Sequence, residues 1–321
     1  MTTRWGILST GGIAESFASD LALVDGAKLA AVGSRTLESA TRFAERHGFA
    51  RAHGSWAELA ADPEVDVVYV ATPHAQHEAA ALQCLRAGKA VLCEKPMTLD
   101  LASSAQLVQE ARAHNAFLME AMWMRCNPVI REVAELIEQG HIGRVTAVHA
   151  DFGIQGPFPA THRLRAPSLG GGALLDLGVY PIHFAHLFLG APASVQSWAR
   201  LTPEGVDETT GLLLGYDSGA VAALTCSING ASANGATITG ESGRIDIPDG
   251  FWAPRGFSVT RAGSTETHAR DYEGLGYRFE AAEVQRCLDA GLLESPLVPI
   301  ATTLEIMTLM DMVREQIGVA Y

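Results

Sequence analysis

Between residue 4 and about residue 120 the chain alternates short β-rich runs with amphipathic helical stretches, and that alternation limits its fold more than any other feature. The strands read as "RWGILS", "KLAAVGS", "VDVVYVAT", "KAVLCEK" and "AFLMEA". Between them lie segments such as "AAALQCLRAG" and "ASSAQLVQEARAHN", whose period is that of the crossover helices parallel strands require. Gly48, Gly88 and Asn115 each follow a periodic run, where a helix C-cap is expected. The expected fold class is therefore α/β, opening with a doubly wound parallel sheet.

Past residue 121 the order changes. A helix near "NPVIREVAELIEQG", a strand "RVTAVHADFG", a Gly/Pro-rich loop and a helix in "GGGALLDLGVYPIHF" come first. Six strands then follow one another, "SVQSWARL", "DETTGLLLGYD", "AVAALTCSI", "NGATITGE", "GRIDIPD" and "GFSVTRA", and two helices close the chain. This half reads as α+β with a large, mostly antiparallel open sheet. A length of 321 residues suits two cores, placed at 1–121 and 122–321.

The balance of 48% apolar and 18% charged residues is that of a soluble globular protein, and no apolar run reaches the roughly 20 residues of a membrane span. No export signal opens the chain, so a cytoplasmic location and no membrane partner are expected. A net charge of −13 with scattered basic residues argues against a nucleic-acid surface. Cys84, Cys93, Cys126, Cys226 and Cys287 form no CxxC pair and read as packed, reduced thiols.

The turn after the first strand, Ser9-Thr10-Gly11-Gly12-Ile13-Ala14, sits where a dinucleotide-binding fold keeps GxGxxG. Ser9 replaces the first glycine and Ala14 the last. Gly11 and Gly12 still let backbone approach a pyrophosphate, and Ala14 lets helix and strand pack closely. The alternative is an ordinary glycine turn. At the end of the second strand no acid waits for a ribose; Ser34, Arg35 and Thr36 stand there instead and suit a 2′-phosphate, so NADP(H) is read over NAD(H), which stays open. In "ATPHAQH", Thr72, Pro73, His74 and His77 read as cofactor-side residues at a strand end, the two histidines as cleft-edge or helix-start residues; they lack a third ligand, so no metal is expected.

"VLCEKPM" ends the strand "KAVLCEK" at the carboxyl edge of a parallel sheet, where such folds bind ligands. Glu94 and Lys95 are candidates there, and Pro96 keeps Lys95 out of helical geometry. Asp176, Tyr180 and His183 recur at i, i+4 and i+7 on an otherwise apolar helix, so each needs a partner or a wet cleft. With Lys95 across that cleft, the Tyr180 pKa would fall from roughly 10 toward working pH, and Tyr180 could exchange a proton with a substrate hydroxyl or carbonyl. The alternatives are a loop lysine and a buried polar cluster satisfied by backbone and water. Pro181 should kink this helix or break one hydrogen bond. Trp123, Arg125 and Phe152 are candidates to line a substrate pocket, with core packing an equal alternative.

In order and over nearly the whole chain, "GILSTGGIA", "ATPHAQH", "CEKP", "FLMEAMWMR", "GGGALLDLGVYPI" and "SPLVPI" together resemble the glucose-fructose oxidoreductase/inositol dehydrogenase (Gfo/Idh/MocA) family. "EAMW" and "GALLDLGVY" resemble its branch of dimeric dihydrodiol and NADP-dependent D-xylose dehydrogenases. The resemblance implies a Rossmann domain, then an α+β domain whose open sheet makes a homodimer or higher homo-oligomer. It also implies Lys95 and Tyr180 as the catalytic pair with Asp176 contributing, and His183 in support. The expected activity is NADP-dependent hydride transfer with a sugar, such as D-xylose or glucose, or a cyclic polyol. Oxidation of trans-dihydrodiols is the alternative; a catalytically silent NADP-binding sensor or scaffold is the reading of another class.

Overall fold

The computed structural model describes residues 2–321. In chain order the first elements are β1 (Thr3–Leu8), α1 (Gly12–Leu21), β2 (Ala27–Gly33), α2 (Leu37–His47), β3 (Arg51–His53), α3 (Trp56–Ala61), β4 (Val67–Val70), α4 (His77–Arg86), β5 (Ala90–Glu94), α5 (Leu101–Ala113), β6 (Leu118–Ala121) and α6 (Trp123–Cys126). There follow α7 (Pro128–Glu138), β7 (Val145–Gly153), α8 (Val179–Leu189), β8 (Ser194–Leu201), β9 (Asp207–Gly215), β10 (Val221–Ser227), β11 (Ala236–Gly240), β12 (Gly243–Ile247), β13 (Gly256–Arg261), β14 (Ser264–Ala269), α9 (Arg278–Asp289) and α10 (Ile300–Ile317).

Two compact units result, Met1–Cys126 with Glu273–Leu304, and Asn127–Tyr272 with Glu305–Tyr321. The first is a six-stranded sheet in the order β3-β2-β1-β4-β5-β6, parallel in every pairing. Helices cover both faces of such a sheet, which is why its central strands are apolar without alternation: Val67, Val68, Tyr69 and Val70 are all fully buried. Helix α2 starts on the Thr36 hydroxyl, which accepts from Ser39 N–H, and ends at Gly48 with φ +79°. Gly88 and Asn115 also take positive φ at their helix ends. The order reverses between β1 and β4, and that switch point opens the crevice used for ligands.

A single cut after residue 121 does not describe this unit, because Glu273–Leu304 belongs to it. The Asp20 carboxylate on α1 accepts N–H groups of Leu275 at 2.8 Å and Gly276 at 2.7 Å, just ahead of α9. Trp5 Nε1 donates to Gln285 Oε1 at 3.1 Å. Pairings across more than 250 residues leave no trace in local periodicity.

The second unit holds an eight-stranded sheet, β14-β13-β12-β11-β7-β10-β9-β8. All its pairings are antiparallel except β7 with β10, as expected of a mostly antiparallel sheet. Strand β10 alternates buried and less buried residues because α8 covers one face only. On the other face Trp198, Leu213 and Val221 are exposed. The short strands β3 and β14 were not evident in the sequence; three residues, and a run of exposed polar side chains, carry little apolar signal.

One sequence expectation needs correction. By length and composition the helical stretch Pro167–Leu189, with mean hydropathy 1.3, does reach what a membrane span requires. Its most apolar window is 78% buried in the protein, as a core helix is.

Candidate functional site

At the switch point, β1 runs into Ser9, whose φ of +118° lies where L-residues are rarely found. The backbone thus keeps the geometry that the usual first glycine provides, although the residue is serine. Gly11 is the N-cap of α1 and no side chain caps it, so the first N–H groups of the helix are left for an anion. A Cβ at Gly12 would meet nothing within 4 Å, so the cradle is open. Ala14 is fully buried against the sheet, the close packing its small side chain permits. Thr10 Oγ1 lies 3.5 Å from Ser34 Oγ, which brings the glycine turn beside the end of β2. There Arg35 is exposed, next to Thr36 at the start of α2. At the end of β4 the Thr72 hydroxyl is buried without a hydrogen-bond partner among the described residues. An open cradle, an uncapped helix start and an orphaned hydroxyl on one sheet edge fit a dinucleotide.

The next strand end carries Glu94 and Lys95. Glu94 is buried; its carboxylate accepts from the Tyr69 hydroxyl and, at 3.1 Å, from the Lys95 N–H. Lys95 is half-buried and the Lys95–Pro96 peptide is cis. Behind them, Glu280 of α9 is fully buried and neither carboxyl oxygen has a hydrogen-bond partner among the described residues. Burial, then the charges of Glu94 and Asp20, push its pKa well above the carboxylate range. Burial also raises Tyr69, with Glu94 and Glu280 adding to it.

His77 has no ring nitrogen left for the expected cofactor contact, whereas Trp123 and Arg125 are packed, as their other reading had it. His77 is fully buried, with Nδ1 2.9 Å from Pro96 O and Nε2 2.8 Å from Thr72 O, so both ring nitrogens face backbone and neither remains for a cofactor. Trp123 is buried and stacks on Tyr277 at 4.1 Å. Arg125 is buried with Nε donating to Leu297 O at 2.9 Å. Packing within the first unit accounts for both, the alternative already open for them. Pro73 precedes a short 3-10 turn that carries His74, whose buried ring lies edge-on to His77 with centroids 5.6 Å apart.

In the second unit, the helix bearing Asp176, Tyr180 and His183 does not run straight from Gly170. Leu174–Gly178 form a π turn and α8 begins only at Val179. Helical backbone continues through both, so Pro181 lies inside a helical run of residues 173–189, directly after the π turn, and that turn is the local irregularity expected of a mid-helix proline. Asp176 lies in the π turn, buried, and is held by Arg163 in a two-pronged pair at 3.0 and 3.1 Å. Tyr180 and His183 are buried on α8. The Tyr180 ring lies 5.5 Å from Phe152, which stacks on Trp252 at 3.7 Å.

Asp207 fixes this arrangement. Fully buried at the start of β9, it accepts from Leu174 N–H at 2.7 Å and from the Thr210 hydroxyl at 2.6 Å. A Cβ on Gly172, which has φ +113°, would lie 2.2 Å from the Asp207 carboxylate. Burial raises the Asp207 pKa against the pull of those donors. Arg163, Asp207, Trp252 and Glu280 escaped the sequence reading. None carried a local signal; Asp207 opens a strand whose next residues, Glu208, Thr209 and Thr210, are also polar.

A nucleotide cradle on a doubly wound sheet, joined in one chain to an open-sheet unit, is the plan of NAD(P)-dependent oxidoreductases that divide cofactor and substrate between two domains. Residues 3–122 match the oxidoreductase family with an NAD-binding Rossmann fold, and residues 130–246 match the GFO/IDH/MocA C-terminal domain. The chain belongs to the Gfo/Idh/MocA family. It is 40% identical over 332 residues to a trans-1,2-dihydrobenzene-1,2-diol dehydrogenase of Xenopus laevis, covering 100% of both chains. It is 36% identical to the Bos taurus enzyme of that name, covering 100% of this chain and 98% of the relative. Among solved structures, the 3-ketoreductase KijD10 of Actinomadura kijaniata in complex with NADP and TDP-benzene superposes with a TM-score of 0.88 at 28% identity, covering 99% of this chain and 98% of that one. The chain is thus an NAD(P)-dependent oxidoreductase, and the sensor or scaffold reading falls away.

Proposed function

We propose that this oxidoreductase acts with NADP(H) on a ring carbon bearing a hydroxyl, in a sugar or another cyclic polyol. The observation that carries the reading is the aromatic wall beside Tyr180: Phe152 and Trp252 stack at 3.7 Å and offer a flat apolar surface to one face of a ring. NADP(H), when bound, supplies or accepts the hydride. Oxidation of the alcohol also releases one proton from oxygen. Tyr180 takes that proton as the tyrosinate and, as the phenol, returns it in the reverse direction, with Lys95 supplying the positive charge that favours the tyrosinate. Asp176, oriented by its pair with Arg163, and His183 support Tyr180 from the same helix. Ser34, Arg35 and Thr36, with no acid among them, favour a 2′-phosphate. Ser9, Thr10, Gly11, Gly12 and Ile13 border its pyrophosphate, and Thr72, Pro73 and His74 its nicotinamide side.

A second substrate reading, a trans-dihydrodiol, is favoured by the same aromatic wall, which suits an unsaturated ring, and by the names of the full-length relatives. We further infer a homodimer through the open sheet face, where Trp198 is 75% exposed and a concavity of 940 Å³ crosses the strands. A reducing, cytoplasmic setting suits five buried cysteines that form no disulfide. The test is the purified protein with NADP⁺ or NAD⁺ against aldoses, cyclic polyols and trans-dihydrodiols, following reduced-cofactor absorbance. Turnover with at least one sugar and a preference for NADP⁺ are expected. Turnover with dihydrodiols alone would select the second reading, and none with any cyclic diol would reject both.

A further inference from the structure

His77 opens α4 beneath two loops of the first unit, and nothing in the proposed chemistry uses it. Its ring lies between two carbonyl groups from different strand ends, Pro96 O at 2.9 Å from Nδ1 and Thr72 O at 2.8 Å from Nε2. Carbonyl oxygens only accept, and a neutral imidazole carries one N–H. Both contacts can be hydrogen bonds at once only in the imidazolium. That form is opposed by full burial, by the neighbouring His74 ring and by the Lys95 charge, which outweigh the two carbonyls and bring the pKa down to about 4. At neutral pH the ring therefore has one proton for two acceptors. It can tie down one loop at a time, leaving a lone pair against the other carbonyl.

We propose that His77 is a positioning residue: its single ring proton couples the loop after β4 to the loop after β5, and the form donating from Nδ1 to Pro96 holds Lys95 in its working place. Pro96 follows Lys95 directly, so a bond to its carbonyl fixes the chain next to the lysine. The form donating from Nε2 fixes Thr72 instead and leaves the Pro96 carbonyl without that donor, while Lys95 N–H and Met97 N–H stay on Glu94 and Glu120, each at 3.1 Å. This rests on the reading of Lys95 as a catalytic residue.

Two measurements on the full-length protein separate the inference from that reading. Nitrogen NMR of ¹⁵N-histidine-labelled protein should show His77 with one protonated and one bare nitrogen across about pH 6 to 9. A ring protonated on both nitrogens over that range would overturn the one-proton coupling, whatever the activity. In kinetics, His77→Asn keeps a donor near Nδ1 and His77→Gln places one nearer Nε2. The asparagine variant should hold kcat within about threefold, whereas the glutamine variant loses about tenfold or more, the scale of one hydrogen bond. NADP⁺ affinity should stay within about threefold for both, since neither ring nitrogen reaches the cradle. Equal kcat for His77→Asn, His77→Gln and the parent would overturn the positioning role. Parental turnover by Lys95→Met would instead sink the catalytic reading and leave the ring's protonation to the NMR result.

Discussion

Ser9 sits at φ +118° because the turn after β1 must bring backbone to the cofactor, and a side chain there is strained by on the order of 1–3 kcal/mol. Ser9→Gly should raise stability by about 1 kcal/mol, since glycine's greater freedom when unfolded offsets part of the relief. Thermal melts with and without NADP⁺ check this, and an unchanged or lower midpoint counts against strain at the turn. Glu280 makes an opposite kind of prediction. Its carboxyl ionises in the unfolded chain above the ordinary range near 4.5 but stays protonated in the fold, so the folded state binds more protons and stability falls as pH rises from there. Glu280→Gln removes that slope. In urea titrations the variant should match the parent near pH 4 and exceed it by about 1–2 kcal/mol near pH 8. An equal difference at both pH values would mean that Glu280 is ionised in the fold.

At the scale of elements, the strands and helices of the parallel sheet were legible because each carries its own signal: a β-rich run, an amphipathic period, a glycine at the end. The helix at residues 174–189 was legible as an apolar run with Asp176, Tyr180 and His183 at helical spacing, but its π turn was not. Its π turn is set by Pro181 from one side and by Asp207 from the other, and the Asp207–Leu174 bond joins positions 33 residues apart. Gly172 makes that approach possible. Gly172→Ala would force a methyl to 2.2 Å from the Asp207 carboxylate at a φ of +113°, and should cost about 2–4 kcal/mol. Turnover should fall by more than about tenfold while NADP⁺ affinity changes little, because the displaced residues are those proposed to carry the proton chemistry. A variant with parental kcat would mean that the start of this helix does not govern Tyr180.

For the whole molecule, the two-sheet plan was readable from the change of pattern after residue 121, but the chain's return to the first unit through Glu273–Leu304 was not. That return is made by polar contacts, Asp20 to the backbone ahead of α9 and Trp5 to Gln285, and by packing of Tyr277 on Trp123 and of Ile300 in the first core, which no periodicity announces. In the candidate site, residue types that chemistry demands stood out, whereas the groups that orient them, Arg163 and Asp207, did not. The exposed face bearing Trp198, Leu213 and Val221 belongs to this scale as well. Trp198→Glu places a charge where a second copy would bury it, and sedimentation should shift from dimer to monomer. A parent that is monomeric at the same concentration contradicts the inferred assembly.

The central claim, that Lys95 and Tyr180 handle the proton while NADP(H) exchanges hydride, is tested most directly by steady-state kinetics of Lys95→Met, Tyr180→Phe and the double variant beside NADP⁺ binding. Each single variant should lose at least about a hundredfold in kcat, the usual scale of a proton-transfer group, the double variant little more, and all three should still bind NADP⁺. Parental kcat in both single variants would contradict the account even with the fold intact.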